Sequence, residues 1–352
     1  MHDARRSLRI ADKAFEVFGD EGYLKNFSDQ FEPSTVAMLR ALCKDGAQAI
    51  DVGANIGLTS LALSQFCSRV VGFEPVGRTF SYLERNIQGA SNVIALHSAI
   101  GSAPGELRMQ VVQDFLAGSF VADTYESHDD RQTVEVVPVK TLDGVFSELG
   151  LSRLDFVKVD VEGFELEVLE GGRQIISDLK PLTYLEMNHW CLNVFRRVSI
   201  PEFRERLLSI FPYVYAINPD SWLDYGDEKN VHEINYRHVV RNEFSNLVAG
   251  FDKDEIVGRL HAWKASLPKI ESTTVDGASH ASSEKTTDDA RYEREIRELT
   301  VAIESAKKDN EATISKLAEL SQENKALLSS TSWRVTAPLR VVANALRKTT
   351  LR

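Results

Sequence analysis

The short apolar run Ala49–Val52 leads directly into Gly53-Ala54-Asn55-Ile56-Gly57, and helical apolar spacing follows from Leu58 to Gln65. That order fixes a strand, a sharp turn and a helix. Glycine lets the backbone turn where a side chain would collide, and lets a ligand approach the main chain closely. The glycines at 53 and 57 do not form GxGxxG, and no Walker lysine follows, so neither a dinucleotide fingerprint nor a phosphate-cradling P-loop is present. Asp51, just before the turn, would sit under the site. A carboxylate there suits a cationic ligand such as a sulfonium with its amino-acid tail and repels a pyrophosphate, which points to S-adenosylmethionine (SAM) rather than NAD.

The same strand–turn–helix pattern repeats. Arg69–Phe73 ends at Glu74-Pro75 before a helix reaching about Gln88, and Val93–His97 leads into Ser98-Ala99-Ile100-Gly101. Leu154–Val159 ends at Asp160, and Leu182–Met187 ends near Asn188-His189. Tyr213–Ile217 and His232–Val239 read as further strands that complete the sheet. Alternation of this kind builds parallel βαβ units in an open, doubly wound sheet, whose ligands bind beyond the carboxyl ends of the strands.

At that edge Glu74 can accept both hydroxyls of a ribose as a bidentate pair, and Ser98 and Ala99 lie where an adenine ring would rest. Asp160 ends the central strand, and Glu162, Glu165 and Glu167 crowd the turn and helix after it. Methyl transfer to a hydroxyl needs an aligned oxygen and a base within hydrogen-bond reach. Asp160, Glu186 and His189 are the candidates, with Glu162 as a further one that could instead cap the next helix. Asp160 with Glu186 could alternatively hold a divalent cation that polarises the acceptor, although no third ligand stands out and no metal is assigned. Trp190 beside His189 offers a ring that can stack on a sugar face.

Taken together, Asp51-Val52-Gly53-Ala54-Asn55-Ile56-Gly57, Phe73-Glu74-Pro75, Ser98-Ala99-Ile100-Gly101, Thr141-Leu142-Asp143 and Lys158-Val159-Asp160-Val161-Glu162-Gly163-Phe164-Glu165 resemble the FkbM family of SAM-dependent methyltransferases. The likeness covers about residues 25 to 190. It implies an α/β fold with a class I methyltransferase (Rossmann-like), doubly wound, mostly parallel sheet. It also implies SAM as methyl donor and a hydroxyl acceptor. By that resemblance Asp51, Gly53, Asn55, Glu74 and Ser98 contact the donor, and Gly57 and Ala99 are placed with them in the donor site. A nicotinamide-dependent oxidoreductase would share the sheet and Glu74 but not the glycine spacing. A non-catalytic coiled-coil scaffold would not need Asp51, Glu74 and Asp160 ionisable together.

The chain has 352 residues and changes character after about residue 265. Residues 1–265 read as the methyltransferase domain, and 266–290 form a flexible linker of Ser, Thr, Asp, Lys and Gly with almost no apolar residue. Across 291–330, Ile296, Leu299, Ile303, Ala306, Asn310, Thr313, Leu317, Leu320, Asn324 and Leu327 alternate spacings of three and four. That heptad pattern predicts a C-terminal coiled coil, with Asn at two a positions suiting a homodimer in fixed register. Residues 331–352 carry Arg334, Arg340, Arg347, Lys348 and Arg352 and no acid, and form a basic amphipathic tail that could lie on anionic lipid or dock on a partner. Ser332-Trp333-Arg334-Val335-Thr336-Ala337-Pro338-Leu339-Arg340 resembles tails that follow coiled coils in bacterial surface-polysaccharide enzymes. That likeness turns the acceptor toward a sugar or glycan assembled at the inner membrane. The net charge of −11 argues against a nucleic-acid partner. Three dispersed cysteines and no spanning apolar run suit a cytoplasmic enzyme, at most peripheral at the membrane.

Overall fold

The structure, a computed structural model, describes residues 3–112, 120–121, 132–151, 153–219 and 221–267. The expected coiled coil over 291–330, the basic tail over 331–352 and all but the first two linker residues lie outside these. No helix among the described residues is long and apolar enough to cross a membrane.

The strands in chain order are β1 (Asp3–Ile10), β2 (Lys13–Asp20), β3 (Gln48–Val52), β4 (Arg69–Phe73), β5 (Val93–Leu96), β6 (Ala99–Ile100) and β7 (Gly105–Val112). They continue with β8 (Phe120–Val121), β9 (Gln132–Lys140), β10 (Phe156–Val159), β11 (Leu182–Glu186), β12 (Tyr213–Asn218), β13 (Ser221–Asp224) and β14 (Asn246–Gly250). Eight of them form one sheet in the order β13-β12-β14-β11-β10-β3-β4-β5. The five strands β3, β4, β5, β10 and β11 are mutually parallel, and β14 runs antiparallel between β11 and β12. This is the doubly wound, mostly parallel sheet expected. The chain steps outward from β3 to β4 and β5, then returns to build β10 and β11 on the other side. The crevice between β3 and β10 is therefore the topological switch point, where ligands bind in such sheets.

Burial explains the central strands. Those of a parallel sheet are covered on both faces and read as continuous apolar runs. Ile50, Val52, Val157 and Val159 pack to one side, against the helices Leu142–Glu148 and Glu165–Gly171. Ala49 and Phe156 pack to the other, under the helices Pro33–Leu42, Leu58–Leu63 and Lys253–Ser266. Two charges interrupt this pattern, and they stand opposite each other in register: Asp51 on β3 and Lys158 on β10.

Three features depart from the sequence reading or add to it. His232–Val239 is not a strand but part of the helix Glu228–Arg241, capped by the Asp227 side chain on the Lys229 amide. Its His, Tyr and Val residues favour extended structure, yet Ile234 and His238 bury at helical spacing while Tyr236, Val239 and Val240 face outward. The hairpin β1–β2 and the small sheet β6-β9-β7-β8 add antiparallel pieces beside the main sheet.

Candidate active site

At the carboxyl ends of β3, β4, β10 and β11 lies a cavity of about 730 Å³. Residues 23–35, before and within the helix Pro33–Leu42, supply one wall.

The turn after β3 forms the cavity's floor. The amides of Gly53 and Ala54 both donate to the Phe73 carbonyl, at 3.0 and 2.9 Å. Gly53 has φ +78°, and a Cβ on it would stand 1.8 Å from the backbone oxygen of Asp160, so the turn lies flat on the end of β10. Asn55 is also left-handed, at φ +50°. Its amide donates to Glu74 Oε2 at 3.0 Å, while Glu74 Oε1 accepts from the Val76 amide at 2.9 Å. Burial pushes the Glu74 carboxyl up to about 7 against the pull of these two amides. A ligand donating two further hydrogen bonds would favour the carboxylate. Ser98 and Ala99 line the cavity, and the buried Ser98 Oγ has no hydrogen-bond partner among the described residues. An orphaned buried hydroxyl near a buried diol acceptor fits a nucleoside.

Asp51 and Gly57 act from behind this surface, and neither lines the cavity. Asp51 is fully buried, accepts from Ser60 Oγ at 2.6 Å and lies 3.4 Å from Lys158 Nζ. Lys158 also donates to the Gly53 carbonyl at 3.0 Å and pairs with Asp160 at 3.3 Å. Burial pulls its ammonium down, but Asp160 and Asp51 beside it more than restore the charge. Asp51 thus holds Lys158, which ties the glycine turn to Asp160. Gly57, at φ +93°, starts the helix Leu58–Leu63, and a Cβ there would meet Leu83 at 2.7 Å.

Opposite the turn, Asp160, Glu162 and Glu186 bring one carboxylate oxygen each within 4.8 Å of the others. Glu162 is the third acid that the sequence reading held apart, and its backbone is left-handed at φ +53°. Strained φ values at a cavity wall are a feature of functional sites. Glu162 Oε2 accepts from Asn188 Nδ2 at 3.2 Å and from the Cys191 thiol at 3.1 Å. Burial and the neighbouring Asp160 push Glu162 up to about 7. Burial, then Asp160, Glu162 and Glu165, push the Glu186 carboxyl well above the usual carboxylate range, which favours its protonated form as a donor to Asp160.

His189 lies outside the cavity lining. Its Nδ1 meets His238 Nε2 at 3.2 Å, and His238 Nδ1 lies 3.0 Å from the Glu243 carbonyl. A carbonyl can only accept, so His238 donates from Nδ1, and its Nε2 accepts from His189. Burial holds His238 down at about 4, which leaves the ring neutral. Trp190 is exposed and packs edge-on against Phe195 rather than lining the cavity. Aromatic lining comes instead from Tyr23, Phe27 and Phe31, which contact one another edge to face, and from Tyr184. Sequence reading missed these residues and Glu32. The lysine in the apolar run Phe156–Val159 was the signal that could have found Lys158.

Residues 51–215 match the family model described as the methyltransferase FkbM domain. The chain is 32% identical over 152 residues to methyltransferase sdnD of Sordaria araneosa, covering 35% of this chain and 59% of that protein. It is 34% identical over 124 residues to the hexuronic acid methyltransferase AglP of Haloferax volcanii, covering 34% of this chain and 48% of the relative. The chain therefore spans less than two thirds of the length of the curated relatives it matches. Among solved structures, that of methyltransferase FkbM from Methylobacillus flagellatus is similar at 19% identity and a TM-score of 0.36, covering 59% of this chain and 44% of that one. The main sheet is a Rossmann-like, doubly wound and mostly parallel sheet.

Proposed function

From a chain whose residues 51–215 match the model of the methyltransferase FkbM domain, we propose a SAM-dependent O-methyltransferase that acts on a sugar hydroxyl. The observation that carries this reading is the set Asp160, Glu162 and Glu186, which shares one cavity with the Gly53–Asn55 turn and Glu74. When bound, SAM supplies an electrophilic methyl group on a sulfonium.

The main chain at Gly53–Asn55 would hold the donor's amino-acid end, Glu74 its ribose diol, and Ser98 and Ala99 its purine. Each group is fixed beforehand: the turn by Phe73 and Lys158, and Glu74 by two amides. Such preorganisation lowers the entropy cost of aligning two reactants. On the acceptor side Glu162 takes the hydroxyl proton, because a carboxyl near 7 is divided between both forms at neutral pH. Asp160 accepts from the acceptor while Lys158 and the protonated Glu186 hold it in place. The printed name of the Haloferax relative, a hexuronic acid methyltransferase, supports a sugar ring as acceptor; the carboxylate of that relative's sugar is not carried over to this chain. In the same reading the heptads of 291–330 pair two copies of the chain, and the basic tail holds the enzyme at an anionic inner-membrane surface or a glycan-assembly partner.

The test is to incubate the full chain with SAM and a panel of glycosides and to follow S-adenosylhomocysteine and acceptor mass. S-adenosylhomocysteine released in step with an acceptor that gains one methyl on oxygen is the expected result. Methylation on nitrogen or carbon would overturn the O-methyltransferase reading.

A further inference from the structure

The wall facing the donor cradle is uneven in charge. Among the described residues, the cavity is lined by five carboxylates, Glu32, Glu74, Asp160, Glu162 and Glu186, and by one cation, Lys158. Glu74 belongs to the donor end, and Lys158 is already engaged by Asp51, Asp160 and the Gly53 carbonyl. Among the described residues, no further lysine or arginine lines the acceptor end to meet an anion. Glu32 is held there by a left-handed backbone, at φ +25°, immediately before the helix Pro33–Leu42.

A second, independent observation points to a ligand in the same place. Tyr184 is only 8% exposed, lines the cavity and has no hydrogen-bond partner for its hydroxyl among the described residues. The carboxylates that act on its phenol are Asp160, Glu32 and Glu186. Burial first, and then these acids, push it well above the ordinary tyrosine range, so it remains a donor. The residue is buried while its hydroxyl opens onto the cavity, so a molecule that fills the space can accept from it.

Building on the methyltransferase reading above, we infer that the acceptor end selects an uncharged or amine-bearing polyhydroxy acceptor and excludes one carrying a carboxylate or phosphate, with Glu32 and Tyr184 setting that choice. Carboxylates accept from sugar hydroxyls or from an ammonium, and Tyr184 donates to a ring or hydroxyl oxygen. An incoming anion would find no counter-charge in a site where burial and mutual repulsion already keep Glu186 protonated. Unmatched charge of that kind penalises one ligand against another of similar size, which is a route to specificity beside attraction to the preferred one.

The test uses analogues of S-adenosylhomocysteine in which a tertiary amine replaces sulfur and carries a 2-aminoethyl, 2-hydroxyethyl or carboxymethyl arm where the methyl would be. The full chain is titrated calorimetrically with each analogue and with S-adenosylhomocysteine, once with EDTA and once with MgCl2. The aminoethyl and hydroxyethyl forms should bind, and the carboxymethyl form should bind roughly 30-fold more weakly than the aminoethyl form. Glu32→Gln should narrow that gap about threefold. Tyr184→Phe should weaken the hydroxyethyl form severalfold, with S-adenosylhomocysteine binding reporting the fold of both variants. Carboxymethyl binding as tight as aminoethyl would overturn the inference, as would carboxymethyl binding that becomes the tightest once Mg2+ is present. Failure of S-adenosylhomocysteine itself to bind the folded chain would sink the donor assignment beneath it.

Discussion

Gly53→Ala should cost the domain about 4 kcal/mol or more and lower its Tm by roughly 10 °C. Two effects combine at this position. A left-handed φ of +78° burdens any residue with a Cβ, by about 1 kcal/mol. The larger effect is steric, since the new Cβ would stand 1.8 Å from the Asp160 carbonyl oxygen, a backbone atom at the end of a central strand. Relief requires β3 and β10 to part where Lys158 bridges them. Gly46 provides the control, because it has the same φ of +78° with nothing within 4 Å of its Cβ position. Gly46→Ala should show only the conformational part, about 1 kcal/mol. Equal losses at the two positions, measured by denaturant unfolding, would mean that the turn does not press on Asp160.

Glu162→Gln should reduce methyl transfer by about 10²- to 10⁴-fold, the range for loss of a general base. Its pH dependence identifies the group. Burial holds a proton on Glu162 up to about pH 7, so wild-type turnover should rise through about 7 and level off above it, and the variant should lack that limb. The stability effect has the opposite sign. A carboxyl whose folded pKa exceeds its unfolded value of 4.5 stabilises the fold when protonated, and that contribution is lost as pH rises toward 7. Glutamine stays neutral and can still accept from Asn188, so at pH 8 the variant should be more stable than wild type by about 1–3 kcal/mol. A dead enzyme with a firmer fold is the signature of a site strained for function. Unchanged turnover in Glu162→Gln, together with loss in Asp160→Asn, would move the proton acceptor to Asp160.

The central sheet was legible because its strands are buried on both faces and end in unusual residues. Gly53, Glu74 and Asp160 each mark a strand end, and all three meet at the cavity. Asp51 was legible as a carboxylate beneath the site but not in its orientation. Its partner is Lys158, distant in sequence and opposite in register, and only strand pairing brings the two together. His238 is fully buried and belongs to a helix whose β-favouring residues disguised it. The hairpin β1–β2 turns at Ala11, left-handed at φ +50°, where neither glycine nor asparagine signals a turn. The wall from Tyr23 to Thr35 reaches the cavity through tertiary packing alone, and no spacing in the sequence ties it to the sheet.

The most direct measurement is a calorimetric titration of the full chain with SAM, with NAD as comparison and Glu74→Ala as the matched variant. One-site SAM binding is expected, with no response to NAD. Glu74→Ala should weaken SAM by about 30-fold or more, because two hydrogen bonds to a charged acceptor are lost. The Asn55 and Val76 amides also lose their anchor in that variant. A folded chain that does not bind SAM, or one that binds it equally well without Glu74, would contradict the account.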